Sequence, residues 1–245
     1  MKNFQKDLEN KIKQDKLFSI VYYGASTTSI DYTFPAWGSI IRYWLRDYIY
    51  ENIGKYYWNL QSVNRGLDGA ISRNLLERFP QMIESLNPDL VFLNIGKNDY
   101  YYQINQEKSR ANTREIIKRS LNNGYKVVFT TSVPALTEEL NQKIKPYVDL
   151  DREIAQEFLG NEEFVFVDFY NFFSSNDLKR SYTLISEDGN KVVGIKPGQV
   201  DPIHFNKYGN ALIAKILLKE VFRIDFDHEK FIQDLSDNTK KYPGA

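Results

Sequence analysis

No cysteine occurs anywhere in the 245 residues. That absence excludes disulfides, thiolate zinc sites and cysteine nucleophiles together, and leaves the redox compartment unmarked. Histidine is almost as scarce: the chain has two, His204 and His228. So few imidazoles argue against a metal centre, and no cofactor is expected. Neither sign of charge is in surplus, with 32 basic against 32 acidic side chains and no long run of either. A nucleic-acid or acidic-membrane surface is therefore not expected. No stretch approaches the ~18 apolar residues of a membrane span. Met1 to Lys16 is charged throughout and lacks the apolar segment of a signal peptide, so the default location is the cytoplasm. There is also no phosphate-binding P-loop.

What is present suits one large domain. Hydrophobic residues make up 42% of the chain and aromatics 15%, enough for a sizeable core. After a polar leader at 1–16, the run from Leu17 to Tyr23 is short, apolar and β-rich, and it stops at Gly24. Similar strands are predicted near 58–63, 89–95, 126–131 and 164–167. Helical spacing marks 35–50, 70–86 (kinked or broken at Pro80), 106–122, 138–158 (interrupted at Pro146) and 206–221. Strand and helix alternate five times. That pattern implies a three-layer α/β/α sandwich around a central, mostly parallel, five-stranded sheet. No linker divides it, so a single domain is expected, with its core at about 18–221 and a tail from 225 to 245 that carries no readable signal. Glu187-Asp188-Gly189-Asn190 between two apolar stretches predicts a hairpin at 183–195, either walling a pocket or serving as a plain surface insertion.

In such a sheet, ligands gather beyond the carboxyl ends of the strands. Four polar turns fall there: Gly24-Ala25-Ser26-Thr27-Thr28, Asn64 to Gly69, Gly96-Lys97-Asn98-Asp99, and Asp201-Pro202-Ile203-His204. Ser26 directly follows the first strand, where its hydroxyl is presented at the sheet's end and its own N–H can face an anion. Gly69 allows close backbone approach, and Asn98 carries an uncharged NH₂ donor. Asp201 stands three residues before His204, a spacing that lets its carboxylate reach the ring, fix the tautomer and steady an imidazolium. Each has a plain alternative, as a helix cap, a turn glycine, a turn asparagine or a chance pair. Gly24-Ala25-Ser26 lacks the second glycine of a Gly-x-Ser-x-Gly elbow. His228, within Asp227-His228-Glu229-Lys230, reads as solvated surface, and Asp149, Asp151 and Asp168 read as surface or strand-end residues.

Together, in this order and at strand ends, the four blocks resemble the SGNH hydrolases, the GDSL-like esterase/lipase family, over about residues 18–215. The resemblance implies the flavodoxin-like SGNH fold and a serine esterase. In it Ser26 is the nucleophile, His204 the general base and Asp201 its orienting acid. The oxyanion hole is formed by the Ser26 and Gly69 backbone N–H groups and the Asn98 side chain. Gly66 competes with Gly69 for that role, and spacing from Asn64 favours Gly69. Ala25 stands where many members have aspartate, which leaves the chemistry intact and the subfamily open. The expected substrate is a small acyl ester, an O-acetylated carbohydrate being one form, because Tyr100, Tyr101 and Tyr102 after Asn98 offer faces for a sugar ring, Tyr100 and Tyr101 being the named candidates. A lipase, lysophospholipase or thioesterase is the alternative enzyme, and a catalytically silent binding module the alternative from another class.

Overall fold

The computed structural model describes residues 3–95, 97–186 and 195–237. Its five strands, β1 (Phe18–Gly24), β2 (Leu60–Gly66), β3 (Leu90–Asn94), β4 (Lys126–Thr130) and β5 (Phe164–Val167), form one sheet in the order β2-β1-β3-β4-β5. Every pairing in it is parallel. Alternation along β1 explains the two cores. Ile20 and Tyr22 face one apolar layer with α1 (Gln5–Lys13), α2 (Trp37–Tyr48), α9 (Lys207–Phe222) and α10 (His228–Leu235). Val21 and Tyr23 face the other, with α3 (Ser72–Met82), α5 (Gln106–Asn122) and α6 (Glu138–Gln156). Side chains two apart on a strand share a face, so a continuous apolar strand needs helices on both sides. The α/β/α sandwich is the fold expected from the alternation of elements.

Local departures from the sequence expectations have physical causes. β2 begins after a single 3₁₀ turn at Tyr57–Asn59 and runs on through Gly66, so Asn64 to Gly66 lie in the ladder and not in a turn. α6 passes through Pro146 without interruption. Its buried face, Ile144, Val148, Leu150 and Ile154, outweighs the ~3 kcal/mol that an interior proline costs. α3 continues two residues past Pro80 and gives way to a 3₁₀ turn at Glu84–Leu86. The turn and most of the return strand of the expected hairpin lie outside the described residues. Its first arm runs antiparallel to 199–201, with Ile185 opposite Val200 and Asp201 N–H donating to Leu184 O at 2.8 Å.

Because β1 sits between β2 and β3, the chain leaves β1 toward one side for β2 and crosses to the other for β3. The crevice at that reversal, beyond Gly24 and Asn94, is where this topology places ligands. Among the described residues no helix is long and apolar enough to cross a membrane.

Candidate active site

Ser26 leaves β1 in a tight turn rather than at a helix start. The N–H groups of Thr28 and Ser29 both donate to Ala25 O, at 2.9 and 3.2 Å, and α2 begins only at Trp37. A helix-capping role is thereby removed. The serine Oγ meets His204 Nε2 at 2.9 Å, and His204 Nδ1 meets Asp201 Oδ2 at 2.6 Å. All three residues are buried. Asp201 Oδ1 accepts the N–H groups of Ile203 and His204 at 2.8 and 3.0 Å, closing the turn that carries the histidine. Burial alone would raise the Asp201 pKa, but the imidazole and these two N–H groups hold it below the usual carboxylate range. An ionised Asp201 fixes the Nδ1–H tautomer, which leaves Nε2 free to accept the Ser26 proton.

The second and third turns are tied to this relay and to each other. Asn64 Nδ2 donates to Thr28 O at 2.7 Å, and Leu67 N–H donates to Gly24 O at 2.9 Å. Gly66 is excluded from contact with a ligand by packing, because a Cβ there would lie 2.3 Å from Ser29 N and 2.6 Å from its Cα. Gly69 is exposed with φ +68°, and a Cβ there would meet only Tyr102 Oη, at 3.8 Å. Asn98 lies in the first turn of α4 (Lys97–Tyr101) and its Nδ2 donates to Ala70 O at 2.9 Å, while Asp99 Oδ1 accepts Ser72 N–H at 2.7 Å. Two adjacent side chains thus grip the stretch that follows Gly69. Gly96 lies outside the described residues.

Of the tyrosines after Asn98, Tyr100 and Tyr101 are half-buried with their rings 5.2 Å apart, and Tyr102 is the exposed one. The Tyr101 phenol is pushed up by burial, with Tyr100 and Asp201 adding to it. A shallow polar cleft with room for about 10 Å³ opens beside Ser26 and His204, lined also by Thr27, Ser29, Tyr32, Thr33, Phe205 and Asn210. Tyr32 was not legible as a site residue. Its ring lies 3.7 Å from the His204 ring at an interplanar angle of 4°, and nothing in the spacing of an irregular loop signals such a stack.

Two sequence readings need correction. His228 is not solvated surface: it is buried at 8% exposure in the first turn of α10, its ring 5.5 Å from that of Tyr208. The apolar face of α10, with Phe231 and Ile232, turns that first turn inward against α9. Burial, with Lys215 nearby, pushes the imidazole pKa down. Asp151 is likewise interior, 3% exposed, on the inward face of α6. Burial, then Asp99 and Asp168, drives its carboxyl well above the ordinary range. Asp149 pairs with Lys145 and Arg152 near the surface, and Asp168 follows β5 and binds Arg152 at 2.9 Å, as their positions suggested. Among the described residues no cluster of metal-ligating side chains occurs.

With this geometry in place, the similarities to known proteins have a physical counterpart. A model of the GDSL-like Lipase/Acylhydrolase family matches residues 19–212. Searching curated protein sequences finds no match. Among solved structures, the acetyl xylan esterase AlAXEase aligns with a TM-score of 0.62 at 19% identity, over 82% of this chain and 98% of that one. A catalytic mutant of Axe2, an acetylxylan esterase from Geobacillus stearothermophilus, aligns with a TM-score of 0.59 at 18% identity, over 87% and 96%. LAE5, described as an alpha/beta hydrolase from the metagenome of Lake Arreo, Spain, aligns with a TM-score of 0.60 at 18% identity, over 84% and 95%. These likenesses reflect a shared fold, and the family match covers most of the chain. The chain belongs to the GDSL-like lipase/acylhydrolase family of serine ester hydrolases.

Proposed function

We propose that the protein hydrolyses small acyl esters, acetyl groups on a carbohydrate being the favoured substrate, with Ser26 as nucleophile, His204 as general base and Asp201 as its orienting acid. The unbroken relay from Ser26 Oγ through His204 to Asp201 at the topological reversal of the sheet carries this reading. The solved structures of Axe2 add support. Its catalytic mutants replace a serine, a histidine, and an aspartate three positions before that histidine, the spacing found here between Asp201 and His204.

In the reaction, His204 Nε2 takes the Ser26 proton as Oγ bonds to the ester carbonyl carbon, and the carbonyl electrons move onto oxygen. The N–H groups of Ser26 and Gly69 and one N–H of the Asn98 amide receive that oxyanion. An amide carries two N–H groups, so donation to Ala70 O leaves Asn98 a second. The alkoxide leaves with the proton from His204, and water repeats the sequence on the acyl-enzyme. For the sugar, the exposed Tyr102 beside Gly69 offers an aromatic face and a hydroxyl, with the half-buried Tyr100 and Tyr101 behind it.

A lipase-like preference is the second reading, favoured by exposed Ile30 and Phe34 on the loop that carries Tyr32. A series of p-nitrophenyl esters, run beside acetate release from acetylated xylooligosaccharides, separates the two. Acetyl is expected to turn over fastest. Rates that climb with acyl length to about eight carbons, with no acetate released from the oligosaccharide, would replace the carbohydrate reading with the lipase one. No turnover of any ester would favour a silent binding module.

A further inference from the structure

The loop between the Ser26 turn and α2 is pinned on both sides of Tyr32. Ser29 Oγ donates to Asp31 Oδ2 at 2.8 Å and accepts the Asp31 N–H at 3.1 Å. Thr33 Oγ1 donates to the carbonyl of Phe205, the residue after His204, at 2.7 Å. Held in this way, the phenol ring covers one face of the imidazole in a near-parallel stack at 3.7 Å. Its hydroxyl interacts with the carboxylate of Asp68, the residue before Gly69. Tyr32 therefore touches the loops that bear the base and a proposed oxyanion donor.

We infer that Tyr32 is a positioning residue for the general base: its ring fixes the plane of His204 and stabilises the imidazolium formed when Ser26 gives up its proton. The inference rests on the hydrolase reading of Ser26 and His204. The physical basis is the ring quadrupole, whose negative face attracts a cation stacked on it. The stack also keeps water from that face while leaving Nε2 directed at Ser26. The charged and titratable groups facing this imidazole are Asp201 on its own turn, Asp68 on the loop after β2, and Tyr32 itself, with Asp31 behind the tyrosine. The aromatic face is thus one contributor among carboxylates, and its effect is read by replacing the ring without changing any charge.

Two variants and two readouts test this. Tyr32→Leu removes the quadrupole and replaces the flat cover over the imidazole by a smaller one, whereas Tyr32→Phe keeps the stack and removes the hydroxyl. For hydrolysis of p-nitrophenyl acetate, Tyr32→Leu is expected to lower kcat by about tenfold with KM changed less than about threefold. It is also expected to move the acid limb of the kcat/KM profile to lower pH by about half a unit, as befits a cation deprived of an aromatic face. Tyr32→Phe should restore both. The second readout needs no turnover. Diethyl pyrocarbonate modification, followed by mass spectrometry with His228 as internal reference, should show His204 reacting several-fold faster in Tyr32→Leu than in wild type or Tyr32→Phe. A wild-type pH profile and unchanged His204 reactivity in Tyr32→Leu would overturn the inference. So would a Tyr32→Phe variant as impaired as Tyr32→Leu, which would place the effect in the phenol and not in the stack. Wild-type protein that hydrolyses no ester would instead remove the hydrolase reading, and the modification rates would still decide whether Tyr32 shields His204.

Discussion

At the scale of single residues, the two histidines make opposite predictions. His204→Ala leaves the Ser26 hydroxyl with no proton acceptor and is expected to reduce kcat by about 10⁴-fold or more. His228→Ala should keep kcat/KM within about twofold but cost about 1–2 kcal/mol of stability, because a buried ring is removed from the junction of α9 and α10. Steady-state kinetics and denaturant melts on the pair check both, and loss of activity in His228→Ala would count against the assignment of the base. The glycines of the second turn separate similarly. Gly66→Ala drives a methyl into the backbone of Thr28 and Ser29 and should both destabilise the fold and displace Ser26. Gly69→Ala makes only an ordinary van der Waals contact with Tyr102 Oη and carries the ~1 kcal/mol strain of a positive φ, so it should fold nearly as well as wild type. Equal loss of stability in the two variants would contradict that distinction. Ser26, Asp201 and His204 could be singled out as candidates only through the joint occurrence of four short blocks in one order, since the serine and the three-residue Asp–His spacing each had a plain alternative. Tyr32 was not legible, since its position depends on how separate loops fold against one another, and which of Tyr100 to Tyr102 would be exposed was equally hidden.

At the scale of elements, apolar runs located the strands, and periodicity located the helices that cover them. Sequence and structure part where one residue's propensity opposes a buried face. Pro146 argued for a break that α6 does not make, and the polar start of α10 concealed a histidine turned inward. Asp151 failed for the same reason, as charge argued for solvent while its position on the inward face of α6 decided for burial. Its Oδ2 and that of Asp99 are both buried with no hydrogen-bond partner. Because the folded protein raises the Asp151 pKa, it holds a proton that the unfolded chain releases above pH ~4. The resulting stabilisation is complete below that unfolded value and is lost as pH rises through the folded one. Asp151→Asn removes the cost of ionising a buried acid, so the variant should gain melting temperature over wild type at pH 8 and gain much less at pH 4. Melting curves at the two pH values test this, and an equal difference at both would show that Asp151 is not protonated in the fold.

At the scale of the whole molecule, the strand order explains why weak local signals converge. Three of the four blocks follow β1, β2 and β3, whose carboxyl ends a parallel sheet gathers on one edge beside the crevice; the fourth, Asp201 to His204, follows no strand of the sheet and reaches Ser26 from the turn before α9. Alternation of strand and helix made the layers readable from sequence. Substrate choice was not readable in the same way, because it depends on loop surfaces such as Tyr102 and the Ile30–Phe34 loop. The central claim remains that the hydroxyl of Ser26, activated by His204, forms the covalent acyl-enzyme. A fluorophosphonate probe followed by peptide mass spectrometry tests it directly. Wild-type protein should be labelled at Ser26, Ser26→Ala should take up no probe, and His204→Ala should be labelled at least about 100-fold more slowly. An unlabelled wild type, or a Ser26→Ala variant labelled as readily, would contradict it.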